Sequence, residues 1–146
     1  MFAIRRPVWI SLIAACAATM SFASHAQHAQ EPVIDLVGTW SWSMPNGQCT
    51  ETHTYRQDGS RSVVSGAENS DSRYAVEAVP NSRFRKLTIT TTKDYRGVDC
   101  GGADEDDTGR TSSVYYVLKP DGSQVLFCYQ PEFKQCYGPF SRVSGI

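Results

Sequence analysis

Period two dominates the chain from residue 36 onward. In "LVGTWSWS", Leu36, Gly38, Trp40 and Trp42 share one face while Val37, Thr39, Ser41 and Ser43 share the other, the alternation of a half-buried strand. "MPNGQ" turns the chain, and "CTETHTYR" forms a second strand, its threonines suiting a pleated surface. "QDGS" is a tight hairpin signal, because its glycine accepts a positive φ, and it leads into "RSVVS". "GAENSD" is expected to be a polar loop, after which "SRYAVEAV" alternates Tyr74, Val76 and Ala78 against Arg73, Ala75 and Glu77. "PNS" turns into "RFRKLTITTT", with Leu87 and Ile89 on one face. A loop from about Lys93 to Gly109 precedes "SSVYYVLK"; "PDG" and "PEF" flank "SQVLFCYQ", and "KQCYGPFSRV" is the last strand. Eight short strands joined mostly by hairpins predict an all-β fold, an antiparallel up-and-down meander closed into a barrel, since closure removes exposed edges.

The first residues read differently. "MFAIRRPVWISLIAACAATMSFASHAQ" places Arg5 and Arg6 before an apolar run and small residues at Ser24 and Ala26. That is the layout of a secretory signal, with cleavage expected after Ala26 and an apolar run too short for a membrane span. The division expected is a signal peptide at 1–26, a flexible segment at 27–34 and a barrel domain at 35–146. Removal of the signal leaves 12 basic against 15 acidic groups, about minus three. Such a chain has no electrostatic footprint for nucleic acid or an anionic membrane, and a periplasmic or secreted monomer is expected.

Cys49, Cys100, Cys128 and Cys136 form an even set in an exported domain, with spacings of 51, 28 and 8 and no Cys-x-x-Cys pair. Two disulfides are therefore expected in place of a zinc site. In an up-and-down meander the first, third, fifth and seventh connections share one end, which puts all four cysteines at one rim. Cys128 with Cys136 across the last hairpin, leaving Cys49 with Cys100, is the favoured pairing; Cys49 with Cys136 and Cys100 with Cys128 is the rival.

The first strand of a closed barrel meets the last, so Trp40 needs a cover at that seam, and Arg142 is suitably placed to lay its guanidinium over the indole. "GTW" at the start of the first strand with an arginine in the last resembles the calycin signature shared by lipocalins and fatty-acid-binding proteins. The resemblance implies a lipocalin-like barrel with Trp40 and Arg142 as a structural seam, and a small apolar or amphiphilic ligand. The lipocalin Thr-Asp-Tyr element is not matched, since "TKDY" at 92–95 carries an inserted lysine. "VSGAENSDSRY" at 64–74 resembles, in its Ser-Gly and Tyr elements but not in their spacing, the inhibitory loop of bacterial membrane-bound lysozyme inhibitors. That analogy supplies the alternative, a protein-recognition module such as an inhibitor of a cell-wall hydrolase or an immunity protein.

Candidate chemistry is sparse. Asp104, Asp106, Thr108 and Gly109 match the start of a calcium loop, but its twelfth position is Tyr115, not Glu. A solvated acidic loop is expected, with no metal and no cofactor. His53 alternates with Glu51 and Tyr55 and is expected at or near the surface; no Gly-x-Ser-x-Gly elbow accompanies it. Binding is expected and catalysis is not, with a hydrolase as the lesser alternative. Trp40, Trp42, Tyr74, Tyr116 and Phe127 are expected to fill much of the interior. The expected binding residues lie in the long loop at the stapled rim: Tyr95, Arg96, Asp104, Glu105, Asp106 and Asp107.

Overall fold

The computed structural model describes residues 36–143; the expected signal peptide at 1–26 and flexible segment at 27–34 lie outside the described residues. The strands are β1 (Gly38–Ser43), β2 (Thr50–Tyr55), β3 (Ser60–Ser65), β4 (Glu68–Ala78), β5 (Arg85–Asp94), β6 (Thr111–Leu118), β7 (Gln124–Cys128) and β8 (Cys136–Arg142). Each pairs antiparallel with the next, and β1 pairs with β8 to close an eight-stranded barrel. The meander read from the sequence is therefore the fold. Both disulfides of the favoured pairing are present, Cys49–Cys100 and Cys128–Cys136, and the rival pairing is not formed.

One connection differs from expectation. "GAENSD" is not a loop: Gly66 and Ala67 alone make the turn, Ser65 pairs with Glu68, and β4 runs for 11 residues. The backbone explains this. Gly66 adopts φ +59°, the amide of Ala67 donates to the carbonyl of Val98 at 3.0 Å, and the polar residues that follow find partners on β5. Ser70 lies opposite Asp94, Asp71 lies opposite Lys93, and a register shift at Asp71/Ser72 absorbs the extra length. β5 likewise continues through Lys93 to Asp94, two positions expected at the start of the loop.

Cross-strand partners share a face, so the interior can be read from the register. Its apolar part holds Leu36, Trp40, Leu87, Tyr116, Val125, Phe127 and Phe140, each at most 1 % exposed. Burying each large side chain contributes on the order of 2 kcal/mol. Of the expected interior aromatics, Trp42 and Tyr74 are only half-buried against this cluster. The Tyr74 hydroxyl donates to the Arg56 carbonyl at 2.7 Å, which holds the tip of the ring at the barrel margin. At the seam, Trp40 and Arg142 are register partners, and the guanidinium carbon stands 4.1 Å from the indole centroid. Arg142 Nη1 donates to the Val37 carbonyl at 2.8 Å and Nε to the Gly122 carbonyl at 3.0 Å, while Trp40 Nε1 donates to the Leu36 carbonyl at 2.8 Å. One residue thus ties the first strand, the last strand and the β6–β7 turn together.

Candidate functional site

The interior is not uniformly apolar. On β2, β3 and β4 the inward face carries three rows of register partners: Glu51, Ser65 and Glu68; His53, Val63 and Ser70; Tyr55, Arg61 and Ser72. The first row lies nearest the stapled rim. His53 is 2 % exposed, so the expectation of a surface or half-buried histidine is corrected. The cause is its phase: it alternates with Tyr55 on a strand whose inward face meets Trp40 across β1, and its ring centroid stands 4.6 Å from that of Phe140.

Polar partners make that burial tolerable. His53 Nε2 lies 2.8 Å from Glu51 Oε1, and Arg61 Nη2 lies 3.3 Å from His53 Nδ1. These contacts assign the neutral tautomer with Nε2–H donating to Glu51 and Nδ1 accepting from Arg61. Burial, reinforced by the Arg61 charge and opposed by Glu51, lowers the His53 pKa to about 4. The unfolded chain then takes up a proton near pH 6.5 that the folded chain refuses until about pH 4, so stability is lost as pH falls through this window. The expected slope from this group approaches 1.4 kcal/mol per pH unit at most, roughly the worth of one proton. Guanidinium denaturation at pH 7, 6, 5 and 4 should show the slope in the wild type and lose it in His53→Gln; the same slope in both proteins would overturn the assignment.

The third row is unusual. Tyr55 is 1 % exposed and Ser72 is 3 % exposed, yet Tyr55 Oη, Arg61 Nε and Ser72 Oγ have no hydrogen-bond partner among the described residues. The Arg61 guanidinium carbon is 5.5 Å from the Tyr55 ring centroid, near enough for its charge to act on the phenol, but no well-formed hydrogen bond joins them. Burial pushes the Tyr55 and Tyr137 phenols up, so both stay protonated and able to donate. Three side chains on adjacent strands therefore carry unfilled donor capacity, and each unmet group carries a cost of about 1–3 kcal/mol. Both ring nitrogens of His53 are engaged, and among the described residues neither contacts a serine or threonine hydroxyl.

The rim above is acidic. Burial raises the pKa of Glu68, with Asp94, Asp99, Asp107 and Glu51 adding in that order. Most of the loop residues expected to bind are engaged in building the loop. Asp94, 5 % exposed, accepts from the Arg96 amide at 2.7 Å through Oδ1 and from the Asp107 amide at 3.0 Å through Oδ2. Arg96 Nη2 donates to the Asp104 carbonyl at 2.7 Å, and Asp104 Oδ1 accepts from the Gly97 amide at 3.2 Å. Asp106 accepts from the Thr108 amide at 2.9 Å, Asp107 pairs with Arg110 at 2.9 Å, and Glu105 is exposed. These carboxylates face separate partners, and no three acidic, histidine or cysteine side chains converge as a metal site among the described residues. Tyr95 stays 58 % exposed while its hydroxyl donates to Asp71 Oδ2 at 3.1 Å. The Cys100 amide donates to Ser65 Oγ at 3.1 Å, which, with the disulfide to Cys49, pins the loop to the ends of β2 and β3.

Arg61 and Ser72 escape a reading of the sequence. Counting outward from "QDGS" pairs Tyr55 with Arg61 and was the available signal; the next step, Arg61 to Ser72, needs the two-residue turn at 66–67. No family model, curated protein or solved structure matches this chain. What the fold defines is a class: a closed eight-stranded antiparallel barrel with a polar wall inside and two disulfides at one end.

Proposed function

We propose that the chain is an exported binding module for a small amphiphilic ligand, whose polar group meets the Tyr55–Arg61–Ser72 row inside the barrel. The observation that carries this is the row itself, three buried donors with unfilled capacity on adjacent strands. Export is supported by the signal-like N-terminus and by two disulfides, which persist in oxidising compartments. Among the described residues no helix is long and apolar enough to cross a membrane. The electrostatics narrow the ligand. Arg61 is already balanced by Glu51 through His53, and the carboxylates at the rim repel an anion. A neutral group that accepts hydrogen bonds, a carbonyl or a hydroxyl, fits best, and a short apolar tail matches the hydrophobic side chains of the interior.

Hexanamide, hexanoate and hexylammonium share a tail and differ only in charge. Titrated into the mature protein with arginine Nε–H resonances followed by NMR, hexanamide should move the Arg61 signal most. Arg61→Met should weaken hexanamide about tenfold, the worth of one hydrogen bond to a charged group. Equal response to all three compounds, or unchanged binding by Arg61→Met, would overturn the reading. A second reading, recognition of a protein by the rim, draws on Tyr95 and Val98, 58 % and 52 % exposed on the braced loop. It takes over if none of the three compounds binds while a polypeptide retained by the wild type is lost when residues 95–109 are replaced by a short Gly-Ser turn.

A further inference from the structure

The barrel also carries an apolar cluster on its outside. Val117 and Leu126 are register partners, as are Tyr115 and Cys128, and in both strands they alternate with the inward Tyr116 and Phe127. Phe84, Val117 and Cys128 are nonetheless buried, at 4 %, 7 % and 0 % exposure. Something covers them, and it is the β7–β8 connection. This segment is closed at its base by Cys128–Cys136 and by the Tyr129 amide donating to the Gln135 carbonyl at 3.2 Å. Phe133 from that connection packs on Phe84 at 4.9 Å between centroids, while remaining 59 % exposed.

Beside Phe133 the cover is incomplete. A groove of about 310 Å³ is left, lined by Val117, Leu126, Pro120, Pro139, Phe133 and Arg83. It adjoins a second hollow of about 270 Å³, lined by Arg83, Arg85 and Tyr116 and sharing Val117 and Leu118 with the first. The groove is of the size small-molecule sites take. Both charged residues lining the groove are basic, Arg83 and Lys119. This is a positive patch on a chain whose formal net charge is −1. Lys119 is offset by Asp121 at 3.3 Å, but Arg83 makes no ion pair among the described residues; its guanidinium carbon stands 5.6 Å from the Phe133 ring centroid.

We propose that this outer groove is a second ligand site, separate from the barrel interior, for a small anionic amphiphile whose apolar body lies on Val117 and Leu126 under Phe133 and whose anionic head meets Arg83. The rigid aromatic cover and apolar floor supply contact area at little ordering cost. The cation selects the head, and its selectivity is modest because Arg83 is exposed.

The probes are 1-anilinonaphthalene-8-sulfonate and its uncharged analogue N-phenyl-1-naphthylamine, followed by fluorescence with the mature protein. The sulfonate should bind one to one and about fivefold more tightly than the neutral dye, the worth of an exposed ion pair. Arg83→Ala should erase that difference, and Phe133→Ser should weaken both dyes about tenfold through lost apolar contact. A retained cooperative thermal transition checks that these variants fold, since Phe133 is the outermost part of the cover and Arg83 is exposed. Arg61→Met, which tests the interior site, should leave both dyes bound as in the wild type. Equal affinity for the two dyes, indifference to Arg83→Ala, or loss of the sulfonate in Arg61→Met would overturn the proposal. So would a dimer, seen by analytical ultracentrifugation, that the sulfonate dissociates, since the occupant would then be a second copy of this chain.

Discussion

Replacing Cys49 and Cys100 together by alanine should lower the unfolding free energy by about 4 kcal/mol, against about 2.5 kcal/mol for the Cys128 and Cys136 pair, on the loop-closure scaling of disulfide entropy. The difference arises in the unfolded chain, where the first bridge closes 51 residues and the second only 8. Native contacts sharpen the contrast. The first bridge joins the β1–β2 connection to the β5–β6 loop, and the turn at Gly66 is packed so closely beneath them that an added Cβ would stand 3.2 Å from Cys49 Sγ and 2.8 Å from the Val98 carbonyl. The second bridge links neighbours already held by the β7–β8 ladder. In thermal unfolding the first double variant should melt roughly 20 °C below the wild type, given several degrees per kcal/mol for a domain of this size. Equal losses from the two variants would show that loop closure is not what separates them.

The parts of this fold legible in the sequence are those that depend on neighbours along the chain. Trp40 and Trp42, Tyr74 and Val76, and Leu87 and Ile89 declare their strands by alternation, and "QDGS", "PNS" and "PDG" announce tight turns through glycine, proline and asparagine. "ENSD" fails this test because its side chains are polar on both faces: Glu68 and Ser70 look into a polar part of the interior, while Asn69 and Asp71 look outward. A strand with two polar faces has no period to detect. The candidate site failed for a related reason. Arg61 looks like any surface arginine until closure sets it against His53, whose burial follows from Trp40 on one side and Phe140 on the other. The outer groove is further out of reach, since Phe84 and Phe133 meet only because the last hairpin folds down over the wall of β6 and β7.

Gly38→Ala should cost about 2–4 kcal/mol, more than the loss of most single hydrogen bonds. Gly38 opens the "GTW" segment with φ +135°, a conformation that an L-residue adopts only under strain. A Cβ there would stand 2.5 Å from Arg142 Nη1. The tip of an arginine can ordinarily swing aside, but this one is held by the Val37 carbonyl, by the Gly122 carbonyl through Nε, and by the Trp40 ring beneath it. To admit the methyl group, the guanidinium must give up the Val37 contact or lift from the indole. The two causes separate in a double-mutant cycle. Arg142→Ala alone should cost about 1–2 kcal/mol through lost cation-π and packing energy. Adding Gly38→Ala to that background should then cost only the backbone strain, so the pair should lose less than the two single losses combined. Strict additivity in urea denaturation would mean that the methyl group never meets the guanidinium. That result would leave the glycine explained by backbone strain alone, and not by the arginine laid over Trp40.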